Sequence, residues 1–340
     1  MYKYSICKDA NDQEYISIIT IYAHVEHLVV PETIKGIPVK CIGVEATQDG
    51  SKLISVELPN SITEIKESAF CDCQHLETIN FPKNLISIGA AAFTGNKALK
   101  DIELNEGLIE IGDSAFSHSG LKSVKIPDSV THIGSYAFSC TDIATITFGN
   151  QLKNIGGYAF KGCKKLETVV FPESLESIEE NAFDSCTGLK SVTFNSDIQE
   201  ASTCDTFFFD CPSLEEINTS LNNKRLISIG GVLYNKEEGS LIRFPPNKKA
   251  SRIEIPRWVS RACFHSFNGV KGIEKIKILS PSIKEIRSSN LLPCGPTEVE
   301  CLKDSEIERW AKAVGFQISH INNINTFLSE ISNEKGRDME

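Results

Sequence analysis

The sequence predicts an α/β repeat solenoid, with short parallel strands on one side of each coil, turns and very short helices on the outer side, and a cap at each end. The first observation behind this is a recurring pair. Ala69-Phe70, Ala92-Phe93, Ala115-Phe116, Ala137-Phe138, Ala159-Phe160 and Ala182-Phe183 follow one another at intervals of 23, 23, 22, 22 and 23 residues. Such a period marks units that cannot bury their apolar side alone and do so by stacking on their neighbours. The second observation is a fixed apolar frame between the pairs. Counting from Phe160, it places Leu166, Val169, Phe171, Leu175 and Ile178 at +6, +9, +11, +15 and +18. The third is Pro172, which follows the alternating segment and ends it, because proline cannot donate to a ladder.

Within one unit, LETVVF alternates, so it reads as a strand with Val169 and Phe171 inward and Thr168 and Val170 outward. Leu175 and Ile178 stand three apart, which suits a tight second side made of one turn or a very short strand. Degenerate copies keep the frame: Leu53, Val56 and Pro59 place Thr47 at the Phe position, and Leu214 with Ile217 places Phe208 there. The frame breaks at LISIGGVLYNKEEGSLIRFPP, which predicts an inserted hairpin near 226–246 turning around Lys236 to Gly239. It resumes with Pro256, Val259, Phe267, Ile273, Ile276 and Ile278, so that Cys263-Phe264 is a decoy for the repeat pair.

The expected organisation is an N-terminal strand cap over 1–30, one continuous solenoid body over 31–320 and a polar tail over 321–340. In SEIERWAKAVGF a capping serine precedes Ile307, Trp310, Ala311 and Val314 at helical spacing, which predicts a covering helix near 305–315.

Composition excludes several function classes. A formal charge of −10 argues against nucleic acid, because phosphate binding needs a basic stripe that releases counterions. No run approaches a membrane span, and MYKYSICKDANDQEY lacks a charged start followed by an apolar stretch, so neither membrane insertion nor an export leader is expected. The twelve cysteines do not imply a disulfide scaffold in a chain this long. Cys73, Cys163, Cys186 and Cys211 each stand three residues after the Phe position and read as a ladder of buried free thiols. Cys204 with Cys211 and Cys294 with Cys301 are alternative disulfide pairs that spacing alone does not decide. CDCQH, from Cys71 to His75, offers two thiols and an imidazole, but Cys73 already belongs to the ladder and a metal needs further ligands. No metal or other cofactor is expected.

Nor is an enzyme. The histidines are scattered, with His118 and His132 expected on turns, and Gly156-Gly157 and Gly230-Gly231 read as turn glycines supplying positive φ rather than a phosphate loop. Tyr136 and Tyr158 precede Ala-Phe in adjacent units and should stack at the outer edge. The candidate recognition surface is the outward side of the strands: Thr78, Asn80, Asp101, Glu103, Ser123, Lys125, Thr145, Thr147, Thr168, Val170, Ser191, Thr193, Glu216 and Asn218, continuing to Lys275 and Lys277. These are expected on one continuous sheet face.

The pattern L-x-x-I-x-L/F-P-x-x-L-x-x-I-G-x-x-A-F-x-x-C resembles the BspA-type leucine-rich repeat over residues 1 to about 320. The resemblance implies a leucine-rich right-handed superhelix that binds a protein or peptide partner, in adhesion at a cell surface or after secretion. A glycan-binding surface component and an intracellular scaffold are the alternatives. Location stays open at this point, because reduced cysteines suit an interior compartment.

Overall fold

A computed structural model of the chain describes residues 2–47, 52–198, 206–263, 265–283 and 298–321. Every coil turns a corner at the Ala-Phe pair, and the corner explains the pair. From Phe70 to Phe160 the N–H of each repeat phenylalanine donates to the carbonyl of the alanine in the next coil: Phe70 to Ala92 at 2.9 Å, Phe93 to Ala115 at 2.7 Å, Phe138 to Ala159 at 2.7 Å. Thr47, at the Phe position of a degenerate copy, donates to Ala69 at 3.1 Å. These alanines are fully buried: a methyl group fits where two coils stand one hydrogen bond apart. The rings of Phe70, Phe93, Phe116, Phe138, Phe160 and Phe183 then stack face to face inside the coils, with centroids 5.0 to 5.4 Å apart.

The same corner holds a feature the sequence barely signals. Two residues before and two after the phenylalanine the backbone turns left-handed, as at Ser68 (φ 52°), Asp72 (φ 53°), Ala91 (φ 52°), His118 (φ 56°), Tyr136 (φ 57°) and Cys140 (φ 56°). This conformation costs a non-glycine residue about 1–2 kcal/mol. The turn is held by further bonds between coils, such as Ser68 N–H to Ala90 O and Asp72 N–H to Thr94 O, both 2.8 Å. Gly95, Gly162 and Gly269 are glycines in this series.

On the second side of each coil the very short strand, one of the two forms expected there, is what the chain adopts, and the short helices of the expected fold class are not found there among the described residues. The two-residue strands form a continuous parallel sheet: Glu64–Ile65, Ser87–Ile88, Glu110–Ile111, His132–Ile133, Asn154–Ile155 and Ser177–Ile178, in that order. Ile37–Ile42 and Glu14–Ile21 lead into it, with Tyr2–Lys8 antiparallel at its edge. Two residues suffice because the next coil repeats the same register, Ile to Ile. Among the described residues the one helix is Glu306–Val314. His132 accordingly lies in a strand and not on a turn. Nor does Gly156 supply positive φ: a Cβ there would sit 2.5 Å from the Ser135 nitrogen, so glycine permits the close approach of two backbones.

The inserted segment has three strands where two were expected. Leu226–Ile229 and Val232–Asn235 pair antiparallel across Gly230 and Gly231, whose φ of 57° and 82° close the tight turn. Ser240–Arg243 follows and pairs parallel with Arg261–Ala262, which returns the chain to the coil frame. The buried apolar residues fall into two clusters that meet at this insertion, one from Ile16 to Ile242 and one from Val232 to Ala311. One continuous core was expected. Between the clusters lies the buried Arg243 guanidinium, which donates to the carbonyls of His265 at 2.5 Å and Phe208 at 3.2 Å. Phe267 holds the repeat position, buried against Phe244, whereas Phe264 lies outside the described residues.

Candidate functional site

The alternation read from the sequence positions the candidate face. Val169, Phe171, Val192 and Phe194 are buried, while Thr168 and Val170 between them are exposed. Thr78, Asn80, Asp101, Glu103, Ser123, Lys125, Thr145, Thr147 and Glu216 are exposed as well, and Ser191, Thr193 and Asn218 are half-buried. All sixteen predicted face positions therefore retain some contact with solvent, with Lys275 and Lys277 also half-buried.

The face is not the continuous sheet expected. Its strands form three separate ladders: His27–Val29, Ser55–Glu57 and Thr78–Ile79; then Ser123–Lys125 with Thr145–Thr147; then Thr168–Phe171, Ser191–Phe194 and Glu216–Thr219. Lys275–Ile278 belongs to a further sheet with Arg252–Ile255, Glu298–Cys301 and Gln317–His320. Between the first two ladders, Asp101 to Leu104 form no strand and no backbone bond to either neighbouring coil; the adjacent rung is Lys122 N–H to Lys100 O at 3.0 Å. Asn80 meanwhile spends its amide on the preceding coil, accepting from Leu58 N–H at 2.7 Å and donating to Leu58 O at 2.8 Å.

At this opening the surface forms a cleft of about 940 Å³, lined by Glu57, Asn80, Asp101, Ile102, Glu103 and their neighbours from Ser55 to Ser123. Among the described residues no cation pairs with the carboxylates of Glu57, Asp101 or Glu103. The C-terminal part of the face is arranged in the opposite way. Lys275 reaches Glu298 at 2.9 Å and Glu300 at 2.6 Å, and Lys277 reaches Glu254 at 3.2 Å. The Glu300 and Glu298 carboxylates hold the Lys275 ammonium above its ordinary pKa. Sequence could list these charges but not which of them neutralise one another.

Thiols and aromatics take up structural positions. Cys163, Cys186 and Cys211 are fully buried and donate to the carbonyls of Phe138, Phe160 and Phe183 at 3.2, 3.1 and 3.2 Å. Burial pushes Cys211 up to about 12, so its sulfur stays protonated. Cys73 is buried, and burial together with the Asp72 carboxylate pushes Cys71 up to about 11, away from the thiolate a metal would need. Among the described residues no group of three metal-ligating side chains is assembled. Cys204 and Cys294 lie outside the described residues, but their alternative partners Cys211 and Cys301 are free thiols, so neither disulfide is formed. Tyr136 and Tyr158 stack at 4.9 Å and 8°, with the Lys161 ammonium 4.9 Å above Tyr158.

With two-sided coils, a phenylalanine spine and one exposed strand face in place, the comparison with known proteins is direct. A family model for the BspA type leucine rich repeat region, describing six copies, matches residues 23–141 and 131–249. The chain belongs to this family. As a BspA-type protein it is similar in fold to several solved bacterial structures. A leucine rich cell surface protein from Faecalibacterium prausnitzii aligns over 95% of each chain with a TM-score of 0.60 and 20% identity. A leucine-rich repeat protein from Bacteroides ovatus aligns over 94% of this chain and 98% of its own, with a TM-score of 0.52 and 20% identity. The pneumococcal vaccine antigen PcpA covers 88% of this chain and 70% of its own at a TM-score of 0.50 and 18% identity. At such identity the likeness is one of fold. No curated protein matches the sequence. No helix among the described residues is long and apolar enough to cross a membrane.

Proposed function

We propose that this BspA-type repeat protein is a non-catalytic module that captures a protein or peptide on its strand face, in adhesion at a cell surface. The observation that carries the reading is the rigid presentation of that face. Thr145, Thr168 and Val170 project from short strands whose alternate residues are locked into a stacked aromatic core, so they meet a partner with little backbone entropy left to lose. The surface location rests on the family membership and on the printed description of the Faecalibacterium neighbour. The scattered histidines and the buried Cys211 thiol, held protonated by burial, support a binding role over catalysis.

The test presents purified protein to immobilised host-matrix proteins and, in parallel, to a glycan panel. The expected result is capture of a protein that is lost in Thr145→Lys and Thr168→Lys variants while their melting temperatures stay at the parent value. Capture of glycans alone, or protein capture indifferent to both substitutions, overturns the reading.

A further inference from the structure

We propose that the cleft around Asp101 and Glu103 receives an extended peptide segment carrying lysine or arginine at alternate positions. This rests on the strand face being a capture surface and specifies the chemistry of its partner at one place on it.

Three observations converge there. First, the face opens: Asp101 to Leu104 spend no backbone N–H or C=O on either neighbouring coil, leaving main-chain donors and acceptors for the amides of a ligand. Such unpaired groups favour a polar main chain over an apolar surface. Second, Glu57, Asp101 and Glu103 line the same cleft of about 940 Å³ without a cation among the described residues, and a concave wall focuses their field on what enters. Lys125, the nearest cation on the face by register, is held at 3.6 Å from Glu106. Third, half-buried Ile79 and Ile102 give the floor an apolar component, which suits the methylene stems of long basic side chains.

The spacing suits an extended peptide. Asp101 and Glu103 are alternate residues of one extended segment, so their side chains leave the backbone about 6.5–7 Å apart. No third metal-ligating side chain joins them among the described residues. In an extended peptide, side chains i and i+2 recur at the same separation of about 6.5–7 Å, so two basic residues meet the two carboxylates without distortion. Glu57 stands two coils away on the lining of the same cleft and is placed for a further positive group.

The experiment uses the full chain and three fluorescein-labelled peptides, TKTKTKTKT, TETETETET and TSTSTSTST, read by anisotropy at low and high salt, about 0.05 and 0.3 M. The expected result is binding of the lysine peptide alone, weakening about tenfold or more between the two salt conditions. Asp101→Asn with Glu103→Gln should weaken it about tenfold, and Asp101→Lys with Glu103→Lys should abolish it. Glu180→Gln, at an exposed carboxylate outside the strand face, should leave it intact. Equal binding of the three peptides, or lysine-peptide binding indifferent to the charge-reversed pair, overturns the inference. Failure here is separable from failure of the broader reading: a protein captured by the parent chain and lost in Thr168→Lys, with no lysine-peptide binding, sinks the cleft assignment and keeps the face.

Discussion

The coils from Phe70 to Phe208 and those that follow Arg243 solve the same packing problem with different side chains. In the first region the interior is a column of parallel rings, Phe116, Phe138 and Phe160 lying 5.4 and 5.3 Å apart at 7° and 6°, with thiols bonded to the carbonyls beside them. In the second it is largely aliphatic, with Ile253, Ile255, Ile273, Ile276 and Ile278 buried and Phe267 meeting Phe244 at 5.9 Å and 23°. Charges differ in parallel. The face of the first region leaves Glu57, Asp101 and Glu103 without cations among the described residues, whereas that of the second ties Lys275 and Lys277 to Glu298, Glu300 and Glu254. A solenoid thus tolerates a change of core chemistry between neighbouring stacks, provided a junction such as Arg243 satisfies the carbonyls where the two meet. What distinguishes the regions functionally is the charge left over on the face.

The largest expected effect tests the two cores against each other. Replacing Phe138 by Ala should destabilise the chain by about 3–5 kcal/mol. Phe267→Ala should cost less by about 0.5–1.5 kcal/mol, the increment that well-stacked aromatic pairs add to burial. Both phenylalanines are fully buried, so urea unfolding of the two variants compares a ring with stacked neighbours on both sides with one packed beside Phe244. Equal losses would mean that the ring column adds nothing beyond transfer from water.

The column was legible in the sequence because a strict frame at 22 or 23 residues admits one arrangement in which every Phe lies on its neighbour. The outward positions were legible for the same reason, since the strand period is two. The opening at Asp101 was not. DIELN has the alternation of its neighbours, and alternation decides which side chains are buried while leaving the spacing of coils undetermined. The tyrosine stack followed from register, as Tyr136 and Tyr158 occupy one corner position in adjacent coils. The second side was legible only as one turn or a very short strand, because two residues are too few to show a period, and Gly156 was misread because a close backbone approach and a positive φ leave the same residue in the sequence. Arg243 gave no signal at all: in SLIRFPP it looks like an ordinary surface charge.

A smaller effect probes the charge arrangement of the C-terminal region. Glu308 begins its helix as the partner of the capping Ser305, whose side chain accepts from Glu308 N–H at 3.1 Å. The Lys312 ammonium at 2.7 Å, the Asp304 backbone N–H and the His320 ring hold its carboxyl down to about 2. Because the folded value lies below the unfolded one, near 4.3, its contribution is complete above that range and fades as pH falls towards about 2. Glu308→Gln should therefore lower the melting transition at neutral pH and converge with the parent chain at the acid end. Trp310, on the same helix, reports the local transition by fluorescence in a Trp258→Phe background. A difference that persists unchanged at low pH would show that the carboxylate charge is not what holds the helix.

The smallest effect concerns the corners of the aromatic region, and its sign is the informative part. Ala91 has φ 52°, a conformation in which its Cβ crowds the backbone and which glycine adopts freely. Two of the same corners already carry Gly95 and Gly162. If the bonds that hold the turn, such as Ala91 N–H to Asp113 O at 2.7 Å, fix the conformation regardless of the side chain, Ala91→Gly relieves strain and should stabilise by about 0.5–1 kcal/mol, against the loss that glycine brings by loosening the unfolded chain. Chemical denaturation of this variant beside the parent chain reads the balance. A gain means that the coils impose the left-handed turn on whatever residue stands there, which is how serine, tyrosine and asparagine share this position in other coils; a loss of similar size would mean that the corner is selected by its side chains and that the repeat is held by less than its backbone ladder.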